Sequence, residues 1–307
     1  MAEPRLDIAL ATWNGARWLD AQLASLARQS LPARVVVGDD GSDDGSLDVV
    51  AAWREGLPGG LLVLPVSARL GPAANFSRIL AACDADWVAC CDQDDVWSDD
   101  HLAVLLAAGR AAATSAPTLV VGDLAVVDAD LAPLHPSFRG LQGFDGVEAA
   151  RLRCLAVMNC FPGCAMLANR ALLQAALPVP GEAGMHDWWL ALCAAALGRV
   201  VPVGASVGRY RQHAGNSIGA RAFRPWLGAF AGRPGRVTTA AGVQAAAQQA
   251  GALLQRHRAT LAPAAAALLG ATAALAGAGW LRRRWLIARH GLRRHPWPRQ
   301  ASMLGRG

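Results

Sequence analysis

LDIALATWNG (6–15), VVVGDDGSDDGS (35–46) and WVACCDQDDVW (87–97) are the stretches whose reading decides the fold. Each opens as a short apolar run and breaks into polar residues: Thr12-Trp13-Asn14-Gly15, then Asp39 to Asp44, then Asp92-Gln93-Asp94-Asp95. A run of roughly four to eight apolar residues bounded by turn formers reads as a buried strand. Between the runs the apolar period lengthens. Leu19, Leu23 and Leu26 recur at helical spacing within 16–29, and 46–54, 72–83 and 99–113 read as further helices. A third strand is expected over LLVLPV (61–66), and one or two over TLVVGDLAVV (118–127). This alternation predicts an α/β domain with a mainly parallel, Rossmann-like sheet flanked by helices. Ligands of such sheets bind at the carboxyl ends of the strands, which is where the polar residues collect here.

Composition supports a folded chain and divides it in two. Of the 307 residues 53% are hydrophobic, which excludes disorder along the whole length. All 29 basic residues are Arg, a wholesale replacement of Lys that reads as genomic base composition first. Residues 1–150 carry 21 of the 23 acids and nine Arg, whereas no acid follows Asp187. Such a split points to different tasks in two parts of the chain. Seven Cys in apolar runs, with no CxxC spacing, read as buried reduced thiols of a cytosolic protein. The start, MAEPRLDIALAT, lacks the apolar stretch of a signal peptide.

Acids crowded on one sheet edge repel one another unless a cation lies among them. Asp92-Gln93-Asp94 is an Asp-x-Asp at a strand end, where the turn lets both carboxylates reach one ion. Hard carboxylate oxygens select Mg²⁺ or Mn²⁺, which commonly bridge to substrate phosphates. A Gly turn with a capping Ser or Asp accounts for Gly41 and Ser42 or Asp43, but leaves Asp39 and Asp40 unexplained. No GxGxxG follows the first strand and no GxxxxGK[ST] exists, so bound phosphate must be neutralised by a metal or by Arg.

ALATWNGARWLDAQLASLARQS, VVVGDDGSDDGS, VACCDQDDVW, HDWWLALCAAALGR and RYRQHAGN, in this order over about residues 5–220, resemble a family-2 inverting glycosyltransferase with the GT-A fold. Within that superfamily they are most similar to bacterial rhamnosyltransferases of cell-surface polysaccharide synthesis. The resemblance implies a donor-nucleotide pocket formed by Thr12, Trp13, Asn14, Asp40, Asn75, Asp92, Gln93 and Arg211. In it Asp40 would accept a hydrogen bond from a pyrimidine imide. Asp94, with Asp92 and His213, would bind Mn²⁺ or Mg²⁺. Asp187 would be the general base, and Gly163 and Trp188 would border the acceptor. The expected reaction moves a sugar, rhamnose from dTDP-rhamnose, onto a hydroxyl of a growing, lipid-linked cell-surface glycan. Three positions depart from the family pattern: Trp13 for the usual Tyr, Cys91 before the fourth-strand acid, and Pro162 in PGCAMLANR (162–170).

The catalytic domain is expected over 1–215, followed by a basic, Ala- and Arg-rich helical extension over 216–307. LAPAAAALLGATAALAGAGWL (261–281) is uncharged and long enough to span a bilayer, but is mostly Ala and Gly, and reads as a soluble helix. In WLRRRWLIARHGLRR (280–294), Leu281, Trp285, Ala288 and Leu292 form a stripe flanked by Arg282, Arg289 and Arg293. A basic amphipathic helix with Trp reads as an element for an anionic membrane surface, or as one that packs its stripe on the catalytic domain. The expected location is therefore cytoplasmic and peripheral, at the inner face of the plasma membrane. No motif supports a nucleic-acid partner. A non-catalytic sugar-nucleotide or polysaccharide-binding module on the same fold is the alternative. A sugar-nucleotide pyrophosphorylase would want a Gly-rich loop and a Lys near the start, and a membrane-tethered polymerase several firm spans.

Overall fold

The computed structural model describes residues 4–66, 68–112, 115–213 and 236–304. Leu6–Thr12 (β1), Arg34–Asp39 (β2), Leu61–Val63 (β3) and Trp87–Asp92 (β4) are linked by Ala16–Ala27 (α1), Ser46–Ala52 (α2) and Pro72–Ala82 (α3). These strands lie parallel in the order β3-β2-β1-β4. The third strand stops three residues short of the expected 66. Leu64 N still bonds to Val37 O, but Asp39 O, the next acceptor along β2, takes its hydrogen bond from the Arg78 guanidinium.

The rest of the sheet is mixed. Val96–Trp97 (β5), His101–Ala111 (α4), Thr118–Val127 (β6) and Pro133–His135 (β7) lead into three short helices, Phe138–Gln142 (α5), Gly146–Ala149 (α6) and Leu152–Leu155 (α7). A 3-10 turn at Gly163–Ala165 then enters Met166–Asn169 (β8), followed by Arg170–Ala176 (α8), His186–Leu197 (α9) and Arg199–Arg211 (β9). β8 runs antiparallel between β4 and β6, and β9 runs parallel to β6 before its end pairs with β5. TLVVGDLAVV is thus one strand.

The central strands β1, β2 and β4 are apolar along most of their length because both of their faces are covered. Alternate side chains enter two cores. Ile8, Leu10, Val35 and Val37 meet Leu19, Leu23, Val50 and Leu102 on one face. Ala9, Val36, Val88 and Cys90 meet Phe76, Ile79, Trp189 and Leu190 on the other. All seven Cys are buried free thiols, as their apolar surroundings imply.

Arg236–Arg256 (α10), Pro263–Ala273 (α11), Trp280–His290 (α12) and Trp297–Leu304 (α13) follow. The expected boundary at 215/216 lies outside the described residues. Ala250 and Leu253 of α10, Leu269 of α11 and Ile287 of α12 join the same core as Phe76 and Trp189. The 261–281 stretch is broken between α11 and α12, and no helix of the described residues is long and apolar enough to cross a membrane.

A shared core couples the unfolding of these helices to that of the sheet. Leu253→Ala, at a fully buried position, is expected to destabilise the whole chain by about 2–5 kcal/mol in one cooperative transition. Denaturant unfolding followed by far- and near-UV circular dichroism checks this; two separated transitions would contradict it.

Candidate active site

Strand register brings the polar ends together. Thr12 pairs with Asp39 across β1–β2, and Ala11 with Asp92 across β1–β4. Gln93 binds β1 and β4 beyond their last rungs: its Oε1 accepts from Thr12 Oγ1 and Trp13 N, both at 2.8 Å, and its Nε2 donates to Trp13 O at 3.0 Å. Asn14, at φ 47°, ties the first loop to the second, since its Oδ1 accepts from Asp43 N at 3.0 Å and its N donates to Ser42 Oγ at 2.9 Å.

The two Asp residues that a simple turn left unexplained have backbone partners. Asp39 Oδ1 accepts from Gly41 N and Ser42 N, closing the turn after β2. Asp40 accepts from Leu70 N at 2.6 Å through Oδ1 and from Gly71 N at 2.8 Å through Oδ2. Asp40 therefore fastens the loop before α3. Over that loop the Arg69 guanidinium lies 3.3 Å from the Trp13 ring centroid, and Trp13 is the exposed aromatic of the cleft. Asn75 is buried, donates to Gly38 O at 2.7 Å, and accepts from Arg78. It braces the end of β2 from below.

On the other flank, β9 delivers Arg211 and His213 to the turn after β4. His213 Nε2 lies 2.8 Å from Asp94 Oδ2, and its ring stacks on Trp18 with centroids 4.8 Å apart. Arg211 N donates to Asp95 Oδ1 at 3.0 Å, and its guanidinium bonds Asp94 O and Ala129 O. Ala214–Asn216 of RYRQHAGN lie outside the described residues. Asp95 is buried with no hydrogen-bond partner for Oδ2 among the described residues. Lost hydration raises its pKa well above the carboxylate range, and Asp94 and Asp92 raise it further. Asp92 is raised for the same first reason, then by Asp94 and Asp187. Ligand atoms of Asp92, Asp95 and Cys164 lie within 4.8 Å of one another. Uncompensated carboxylates and an orphaned buried oxygen are the donor set that a hard divalent cation fits.

Asp187 reaches this edge from the first turn of α9, a helix that Trp189 and Trp188 anchor. Trp189 Nε1 bonds Ala176 O at 2.8 Å, and Trp188 Nε1 bonds Leu155 O at 2.6 Å. Trp188, expected at the acceptor, is thus a buried anchor of α9. Gly163 meets the other side of the acid. A Cβ there would come within 2.8 Å of His186 Nε2 and 3.4 Å of Asp187 Cβ, so the approach needs Gly. Asp187 Oδ1 accepts from Asn159 Nδ2 at 3.0 Å and from Trp188 N at 2.6 Å. Burial pushes the Asp187 pKa up to about 6, and these donors with Gly163 N hold it down against that rise.

Asn159 escaped the sequence reading. It stands in MNCFPG between two Cys, and no motif marks it. Arg69 also escaped, as one Arg among 29, although its place before Gly71 and Pro72 at the start of α3 was a usable signal.

These hydrogen bonds make the base tunable. In any reaction where Asp187 accepts a proton, turnover is expected to fall as pH drops through about 6, where its carboxylate becomes protonated. Asn159→Ala removes a donor that favours the ionised form, so the acid limb of the kcat profile should move to higher pH, with near-normal rates at alkaline pH. An unmoved limb, with kcat lowered equally at every pH, would show that Asn159 acts only on structure.

Known proteins resemble this chain to different depths. The model of glycosyl transferase family 2 matches residues 7–174, more than half of the chain. A dTDP-rhamnosyl transferase, RfbG of Shigella flexneri, is 31% identical over 98 residues, 30% of this chain and 34% of its own length. An uncharacterised glycosyltransferase of Nostoc is 27% identical over 220 residues, 69% of this chain and 66% of its own. Among solved structures, S. aureus TarS 1–349 with UDP-GlcNAc superimposes with a TM-score of 0.59 at 16% identity, covering 87% of this chain and 70% of that one. The Pyrobaculum calidifontis mannosyltransferase PcManGT, in complex with GDP-Man and Mn²⁺, gives 0.54 at 22%, covering 99% and 86%. At these identities the structural likeness is one of fold, the GT-A glycosyltransferase fold. The matched segment carries β1, β2 and β4 with their acidic ends, and on that match the chain belongs to glycosyl transferase family 2.

Proposed function

We propose that this chain transfers a sugar from a nucleotide diphosphate donor to a glycan hydroxyl, with inversion at the anomeric carbon. The observation that carries the reading is Asp187, a buried carboxyl with pKa about 6 whose charge is felt by Asp92 at the acidic strand ends. A base with this pKa is ionised at neutral pH yet takes a proton readily. The acceptor oxygen attacks the anomeric carbon as its proton passes to Asp187. The bond to the diphosphate breaks in the same displacement, and the nucleoside diphosphate leaves.

In this reading the nucleotide base is received beside Trp13, over whose ring Arg69 lies, and near Thr12 and Gln93, which are hydrogen-bonded to each other. Asp40 shapes the same pocket by holding residues 70 and 71. The donors already gathered at this edge among the described residues are Asp92, Asp95 and Cys164, of which only Asp92 was expected as a ligand. In this reading Asp94, with His213 against it, joins Asp92 in holding a divalent cation, Mn²⁺ or Mg²⁺, whose chemistry would be to neutralise the diphosphate as charge develops on it. Arg211 orients the Asp94–Asp95 turn through its three hydrogen bonds there and at Ala129.

dTDP-rhamnose is the donor we infer, on the likeness to the Shigella flexneri dTDP-rhamnosyl transferase within 98 residues and on the HDWW and DQDD motifs. The acceptor we infer is a lipid-linked cell-surface glycan, met by a cytoplasmic protein at the inner face of the plasma membrane. A binding module on the same fold would not require a buried, hydrogen-bonded base.

Two experiments test the chemistry. Asp187→Asn keeps shape but loses the proton acceptor, so kcat should fall by about 10²–10⁴ with donor affinity near normal; wild-type kcat would remove Asp187 as base. Chelation with EDTA should abolish turnover of a panel of nucleotide sugars, Mn²⁺ or Mg²⁺ should restore it, and Asp94→Ala should weaken metal-dependent nucleotide binding. Full turnover in chelator would overturn the metal assignment.

A further inference from the structure

The helix α12 shows two unlike sides. Leu286 and Ile287 turn inward and are nearly inaccessible. The stripe expected from sequence is shortened by its last member. Gly291 takes the left-handed conformation, φ 61°, and ends the helix. Leu292 N then bonds Ile287 O at 3.0 Å, and the Leu292 side chain drops into the core. Leu281, Trp285 and Ala288 face outward instead, and Trp280 joins them. Trp280, Leu281 and Trp285 are 46%, 74% and 59% exposed. At about 100° per residue, Trp280, Arg284, Ala288, Leu281 and Trp285 follow one another around that side, and Arg289 and Arg282 border it. Arg284 lies 4.1 Å from the Trp280 ring centroid.

Large apolar side chains grouped on an exposed helix face mark a contact surface. Their chemistry selects the partner. Trp sits at membrane–water interfaces because its ring is apolar and its N–H polar. The Arg border calls for negative charge opposite, and the tail cannot supply it, since no Asp or Glu follows Asp187 while 14 Arg lie in 214–307. A nucleic acid would answer the charge but leave the Leu281 and Ala288 surface in water. An anionic bilayer answers both.

The helix is also tied to the catalytic side. Just past it, Arg293 N bonds Arg153 O at 3.0 Å and Arg294 Nε bonds Val157 O at 3.1 Å. Val157 lies two residues before Asn159, which holds Asp187.

We propose that the outward face of α12, formed by Trp280, Leu281, Arg284, Trp285, Ala288 and Arg289, docks the protein reversibly on an anionic lipid surface. Docking rests on this face alone; only its purpose, access to a lipid-linked acceptor, rests on the transferase reading above.

The test is sedimentation of the full chain with phosphatidylcholine vesicles, with and without phosphatidylglycerol. Wild type should pellet with the anionic vesicles only. It should be released as salt rises from about 0.1 to 1 M, which shortens the screening length from about 10 to 3 Å. The double variant Trp280→Ala/Trp285→Ala should lose at least about tenfold in partitioning, whereas Leu134→Ala, an exposed residue on β7, should not. Arg282→Gln/Arg289→Gln should flatten the salt dependence. Retention by the Trp double variant, equal pelleting with neutral vesicles, or no pelleting at any salt would each overturn the proposal. So would a concentration-dependent dimer in sedimentation velocity that the Trp double variant abolishes, since the face would then join two copies. Donor hydrolysis should be unchanged in the Trp double variant. A failed transferase reading would therefore appear as absent hydrolysis, and a failed docking surface as absent pelleting.

Discussion

Mutual repulsion of carboxylates at one end of a parallel sheet is the constraint around which the site is organised. Asp92, Asp94, Asp95 and Asp187 converge where β4 ends and α9 begins, and burial strips water from several of them. Each is then held by a different means. His213 partners Asp94, the Arg211 backbone partners Asp95, and Asn159 with Gly163 and Trp188 partners Asp187. Asp92 has the weakest compensation, and its pKa rises accordingly. A cation bound there would relieve this repulsion, so that energy lost in assembling the edge would be recovered on binding.

The scaffold tolerates this crowding because the rest of the edge is cross-braced. Gln93 joins β1 to β4, Asn14 joins the first two loops, and Asp44 accepts from both Ala16 N and Ser46 N at the starts of α1 and α2. These polar groups satisfy loop backbone that packing would otherwise leave without partners. Loops set in this way need no ligand to order them.

The C-terminal helices tie Asp187 to the rest of the chain. α10 to α12 enlarge the core against which Trp189 is packed, and the residues after α12 hydrogen-bond to the segment that leads into Asn159.

Much of this was legible in the residues. Short apolar runs and helical spacing located β1, β2, β4 and the intervening helices to within a few residues, because strands covered on both faces are apolar along most of their length. The polar breaks after those strands marked the sheet edge at which Asp92, Asp94 and Asp95 gather, and HDWW marked the acid that approaches it from α9. What tertiary structure alone decided is partnership. Asp40 looks like a ligand residue in sequence, yet both its oxygens hold backbone 30 residues away. Trp188 looks like an acceptor contact, yet its indole fastens α9 to Leu155. Asn159 carries no local signal, because its role depends on a contact with Asp187, 28 positions later. The stripe on α12 was visible as a helical repeat, but its direction was not: Leu286 and Ile287 bury more completely than it does, and Gly291 turns Leu292 away. Local pattern follows from backbone geometry and burial, which each segment expresses on its own. Which polar group meets which is settled only when distant segments compete for the same few donors and acceptors in the folded chain.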